Sequence, residues 1–145
     1  MPTFPHLIVD TNVWVALSKV EEQRGAQVVN TLIILNDPPY GTERSYNGLR
    51  LATALLKHDP EQIVVVFLMD DGVLCAKKGQ KTPEGYYNIE RMLHRVTSGK
   101  GELLLCGTCM DARGLAADEL VEGAKRSTMD ELTARTLKAD KVISL

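Results

Sequence analysis

Six consecutive apolar residues, Ile63-Val64-Val65-Val66-Phe67-Leu68, constrain this chain more than any other feature. The run is rich in β-branched side chains, too short for a core helix, and free of the polar alternation that marks a half-exposed strand. It reads as a strand buried on both faces, which belongs inside a parallel sheet with helices on each side. Three other segments suit the same sheet: Thr31-Leu32-Ile33-Ile34-Leu35, Glu102-Leu103-Leu104-Leu105-Cys106 and Asp140-Lys141-Val142-Ile143-Ser144-Leu145. Strands are therefore expected near 31–36, 62–69, 102–106 and 140–144.

Helical patterns separate these strands. Asn36-Asp37-Pro38-Pro39-Tyr40-Gly41 stops the first strand. A helix follows from Thr42 or Glu43, with Tyr46, Leu49, Ala52 and Leu56 at helical spacing, Leu51 and Leu55 widening the stripe, and Asp59-Pro60 closing it. Ile89, Met92, Leu93 and Val96 form a second stripe, ended by Gly99 and Gly101. The polar stretch from Lys77 to Gly85 reads as a surface loop, and 117–137 as largely helix-forming. Strands alternating with helices define an α/β class with a mainly parallel sheet.

Composition narrows the function. With 145 residues, 44% of them hydrophobic and 25% charged, the chain suits one folded domain. Its net charge of -2 lacks the field of a nucleic-acid binder. No apolar run approaches the roughly 18 residues that span a bilayer. The first residues lack the cationic region of a secretory signal, so a cytoplasmic location is expected. Residues 1–30 do not follow the later rhythm and read as an N-terminal extension to a domain over 31–145.

Chemistry concentrates in Cys106-Gly107-Thr108-Cys109-Met110-Asp111-Ala112-Arg113-Gly114. In an open parallel sheet, ligands gather at the carboxyl ends of strands, where Cys106 falls, with Cys109 in the expected turn beyond it. A thiolate is the reactive form, and a cation such as Arg113 favours it. The competing reading of either cysteine is a small buried apolar residue. A tetrahedral zinc site needs about four ligands, and one C-x-x-C with no suitably spaced histidine does not supply them. The same spacing also suits dithiol redox chemistry. Cys75, inside a short apolar segment, is expected to be the least reactive thiol.

Several motifs occur together: Leu35-Asn36-Asp37-Pro38-Pro39-Tyr40-Gly41-Thr42-Glu43, Asn47-Gly48-Leu49-Arg50-Leu51-Ala52, Phe67-Leu68-Met69-Asp70-Asp71-Gly72-Val73, Lys78-Gly79-Gln80-Lys81, Gly85-Tyr86-Tyr87-Asn88-Ile89, the Cys106–Gly114 segment and Ala139-Asp140-Lys141-Val142. In this order they resemble the DsrE family, in particular its YchN-like members. The resemblance implies a three-layer α/β/α domain that assembles as a homotrimer or homohexamer. It further implies a cysteine carrying sulfur as a persulfide between donor and acceptor proteins. Cys106 corresponds best to the carrier, with Cys109 as a second, resolving thiol. Asp111, Arg113, Tyr40, Asn47, Lys78, Tyr86 and Asn88 are the expected supporting residues. No cofactor, metal, nucleic acid or membrane is expected to take part. A non-catalytic oligomeric ligand-binding protein is the alternative from another class. Val9-Asp10-Thr11-Asn12-Val13-Trp14 separately resembles the start of PIN-domain nucleases, in which such an aspartate helps hold a metal.

Overall fold

The structure is a computed structural model, and residues 28–145 are described. The extension and the PIN-like segment around Asp10 lie outside the described residues, apart from the last few positions before residue 31.

The chain runs through β1 (Asn30–Leu35), α1 (Arg44–His58), β2 (Ile63–Leu68), a 3₁₀-helix (Asp70–Ala76), α2 (Ile89–Ser98), β3 (Glu102–Cys106) and α3 (Gly107–Ala112). A short 3₁₀ turn (Ala117–Glu119), β4 (Ala124–Ser127), α4 (Met129–Lys138) and β5 (Lys141–Ser144) complete it. The strands form one sheet in the order β4-β3-β2-β1-β5, and every neighbouring pair is parallel. This is an α/β fold, as the apolar run predicts. β2 holds the centre, with five of its six residues buried and Val66, Phe67 and Leu68 fully so.

Strand alternation assigns the layers. Leu35, Leu68 and Leu105 are register partners and point to one face. Gly48 of α1 lies directly against Leu35, so α1 covers that face, and α2 packs beside it. Glu102 is three residues from Leu105 and points to the other face, where Arg135 of α4 grips both of its oxygens at 2.6 and 2.9 Å. Arg135 also bonds Glu131 one turn earlier at 2.7 Å, fastening α4 to the sheet. Those carboxylates hold the Arg135 guanidinium proton more firmly than usual.

Two expectations change. The stretch 117–137 is not one helix: it holds the 3₁₀ turn, a strand and all of α4 but its last residue. Gly123, at φ +87, turns the chain into β4. Thr128 then caps α4 by accepting the Glu131 N–H at 3.2 Å, so that helix cannot begin earlier. The second change is in α1, where Leu51 stands exposed instead of widening the buried stripe, because the packed face is set by Gly48, Leu49, Ala52 and Leu56.

Candidate functional site: a thiol pair at the carboxyl edge of the sheet

β1, β2 and β3 deliver their carboxyl ends to one edge, and the segments that follow form the site. Leu103, Leu104 and Leu105 anchor β3 in the core. The strand ends at Cys106, 7% exposed, and α3 starts at once with Gly107. Cys109 therefore sits in the first turn of a helix, not in a loop, and is half-buried. One helical turn returns its side chain toward Cys106, close enough for the two thiols to influence each other's proton.

The loop after β2 closes the other side. Asp70 takes a left-handed conformation, φ +48, which costs a non-glycine residue energy but which aspartate tolerates better than most. From there its backbone N–H donates to Cys109 Sγ at 3.3 Å. Gly72 follows where the chain passes so close to the Leu35 carbonyl that a Cβ would collide with it. Its N–H donates to Asn36 O at 3.1 Å and to Met69 O at 2.7 Å, pinning the loop between β1 and β2.

The thiols have distinct proton affinities. Burial raises the Cys109 pKa most, and the neighbouring Cys106 thiol adds to it; the Asp70 N–H acts in the opposite direction. Cys109 thus holds its proton more firmly than a free thiol does. Cys75 is fully buried, lies within sulfur hydrogen-bond reach of the Asp37 carbonyl at 3.6 Å, and is pushed up to about 12, chiefly by burial.

Two arginine–aspartate pairs flank the pair of sulfurs. Arg113 Nε donates to Asp71 at 2.8 Å, and its Nη1 donates to the Cys109 carbonyl at 3.1 Å. Arg113 therefore clamps α3 to the β2 loop and does not contact a thiol directly, although its charge is felt at Cys109. On the other side Arg126 of β4 holds Asp111 with two bonds of 2.7 Å. Its guanidinium lies over Gly107, where a Cβ would come within 2.8 Å of Nε. The ion pair keeps Asp111 below the usual carboxylate range and raises Arg126. Arg126 is close enough to Cys106 for their charges to interact. It was missed in the sequence because its segment reads as helix-forming. The usable signal was Thr128-Met129-Asp130-Glu131, whose cap spacing starts the helix after Arg126.

The expected supporting residues divide. Asp111 and Arg113 frame the thiols. Tyr40, Asn47, Tyr86 and Asn88 belong to a second assembly between α1, α2 and the Gln80 loop. Tyr40 donates to Gln80 Oε1 at 2.7 Å and accepts the Ile89 N–H at 3.2 Å. Buried Asn88 caps α2 by accepting the Arg91 N–H at 3.0 Å and donates to Gln80 O at 3.1 Å. Asn47 accepts from Arg50 at 3.2 Å, and Tyr86 stacks on Tyr87 with ring centroids 4.5 Å apart. Lys78 is exposed on a strap whose N–H meets Glu119 O at 2.9 Å. No hydrogen bond joins any of these five to either thiol.

Among the described residues, no group of three or more His, Cys, Asp or Glu side chains is arranged to hold a metal ion, and no helix is long and apolar enough to cross a membrane. A parallel α/β sheet with two neighbouring thiols at its carboxyl edge defines a class of small α/β proteins with a strand-end cysteine. Within it, residues 30–145 match the DsrE/DsrF-like family model, and the chain belongs to that family. It is 42% identical over 113 residues to protein YchN of Escherichia coli K12, covering 78% of this chain and 96% of that protein. It is 38% identical over 112 residues to the uncharacterised protein MJ0989 of Methanocaldococcus jannaschii, covering 77% and 96%. The crystal structure of E. coli YchN superposes with a TM-score of 0.78 at 40% identity, over 81% of this chain and all of the other.

Proposed function

We propose that this protein carries sulfur as a persulfide on Cys106, with Cys109 as the resolving thiol. The observation that supports this reading is the placing of two neighbouring thiols at the end of β3 and the start of α3, with the Asp70 N–H directed at Cys109 Sγ at 3.3 Å. Cys106 takes the carrier role because it ends β3 directly and corresponds best to the family's strand-end cysteine, while Cys109, in the first turn of α3 and less buried, is placed to resolve it. The Cys106 thiolate attacks the outer sulfur of a sulfane-sulfur donor such as thiosulfate. The donor S–S bond breaks, sulfite leaves with the electron pair, and the outer sulfur stays on Cys106. An acceptor thiolate that attacks this outer sulfur takes it away and restores the Cys106 thiolate. Attack by Cys109 on the inner sulfur instead gives a Cys106–Cys109 disulfide and expels hydrosulfide.

Three free cysteines suit a reducing compartment, so we place this chemistry in the cytoplasm. We also propose a homotrimer or homohexamer. Leu137 at 82% exposure, Val142 at 46% and Met129 offer apolar surface on and beside α4 for self-association. Sedimentation at micromolar concentration should show the oligomer, and a stable monomer would reject it.

Mass spectrometry after thiosulfate treatment tests the carrier. The expected product is a single-sulfur adduct on Cys106, absent in Cys106→Ser and unchanged in Cys75→Ala. An adduct that survives Cys106→Ser but is lost in Cys109→Ser reverses the roles of the two thiols. No adduct on either thiol rejects sulfur transfer, and rapid disulfide formation without an adduct supports dithiol redox chemistry instead.

A further inference from the structure

A groove between α1 and α2 carries four cations with no carboxylate to match them. Its two stretches, about 320 and 510 Å³, share Arg50, Met92 and Arg95. Arg91 lines the first and Lys57 the second, and the lining of neither includes an aspartate or glutamate. None of the four cations makes a salt bridge among the described residues, whereas Arg113, Arg126 and Arg135 all do. Arg91 and Arg95 are also one turn apart on α2, a like-charge spacing that costs a helix stability. Three guanidiniums facing one groove repel each other until an anion enters.

The other end of the groove is aromatic. Tyr46, Tyr87 and Tyr86 form a stack with successive centroids 4.3 and 4.5 Å apart. Arg50 covers Tyr46 with its guanidinium 5.5 Å from the ring centre. At the opposite end Tyr86 is 52% exposed, leaving ring surface to which a further planar group can add. Asn88 holds this arrangement in place through its cap on α2 and its bond to the Gln80 loop. Arg50 is steadied by Asn47 at 3.2 Å, a neutral partner that leaves its charge uncompensated.

We propose that this groove binds a nucleoside phosphate, with the phosphates on Arg50, Arg91 and Arg95 and the base stacked on Tyr86. Guanidiniums bind phosphate oxygens in pairs, and a tyrosine face accepts any base, so the pattern selects both halves of such a ligand. The groove volume is that of a small-molecule site, not of a duplex track. The protein's net charge of -2 conceals this patch, because the lining of the two stretches themselves holds four cations and no carboxylate. The site is separate from the thiol pair, with no lining residue in common.

Calorimetric titration of the full chain with ADP tests the proposal. Saturable binding at one site per subunit is expected, with adenosine and inorganic pyrophosphate each at least about tenfold weaker, since each lacks half of the recognised chemistry. Arg91→Glu with Arg95→Glu should abolish binding while circular dichroism and the thermal midpoint show a folded protein. Tyr86→Leu should weaken ADP about tenfold and leave pyrophosphate unchanged. Absence of ADP binding overturns the proposal, as does ADP binding that survives the double reversal. Equal affinity for ADP and pyrophosphate, untouched by Tyr86→Leu, overturns it in favour of a simple polyanion site. Dissociation of an oligomer by the double reversal, without ADP binding to the parent protein, reassigns the groove to a subunit interface.

Discussion

The thiol edge and the α1–α2 groove handle positive charge in opposite ways. At the edge each guanidinium is matched: Arg113 by Asp71 and Arg126 by Asp111, with bonds of 2.7–2.8 Å. In the groove Arg50, Arg91, Arg95 and Lys57 have no acidic partner among the described residues. Matched charges position a loop and a short helix around two sulfurs. Unmatched charges leave electrostatic energy that a ligand can relieve. The regions also differ in support, because the edge stands on the sheet core and the groove on the outer surfaces of two helices.

The largest expected contrast is in stability. Leu105→Ala empties a fully buried position next to Cys106 on β3 and should cost about 2–5 kcal/mol in urea unfolding. Leu51→Ala, at an exposed groove position, should cost less than about 0.5 kcal/mol. Equal costs would show that the edge does not depend on the core.

Cys75 supplies the next contrast, as a thiol near the site but inside the protein. In the unfolded chain it ionises near 9.0, whereas in the native state it stays protonated to about 12. Its contribution to stability is complete below the lower value and is lost as pH rises toward the upper one, because unfolding then releases a proton. Urea midpoints should fall from pH about 8 to pH about 10.5, and Cys75→Ala should make that fall shallower. An unchanged slope would mean that Cys75 opens to solvent in the native state.

Smaller effects separate the two kinds of cation. Arg126→Met removes positive charge beside Cys106, so alkylation of Cys106 by iodoacetamide should slow severalfold at neutral pH. An unchanged rate would leave Arg126 with only its tie to Asp111. Arg95→Gln removes one member of a like-charge pair and should stabilise the protein by about 0.2–0.5 kcal/mol at low salt. That gain should vanish at high salt, and a loss of stability at either salt concentration would show an overlooked partner for Arg95.

The four strands that were expected from sequence alone are all present, and each is a continuous apolar run or a short β-rich segment next to a turn signal. β4 was not legible, because Ala124-Lys125-Arg126-Ser127 has no apolar pattern and is held at the sheet edge through its backbone pairing to β3. The thiol pair was legible from its place after an apolar strand. The division of the other polar residues was not: Tyr40, Asn47, Tyr86 and Asn88 cluster with Gln80 and α2, and only the packing of α1 against α2 determines which edge they serve.

Local chemistry in the chain thus determined the parallel α/β class, the position of Cys106 at a strand end, and the poor reactivity expected of Cys75. Burial and hydrogen bonding along contiguous segments settle those features, so they leave a periodic trace. Tertiary structure decided which charge meets which. Asp71 with Arg113 and Asp111 with Arg126 join residues 42 and 15 positions apart, and the unpaired arginines of α1 and α2 meet across a helix interface. Coulomb energy depends on distance in space and on access to solvent, and neither quantity is written in the spacing of residues along the chain.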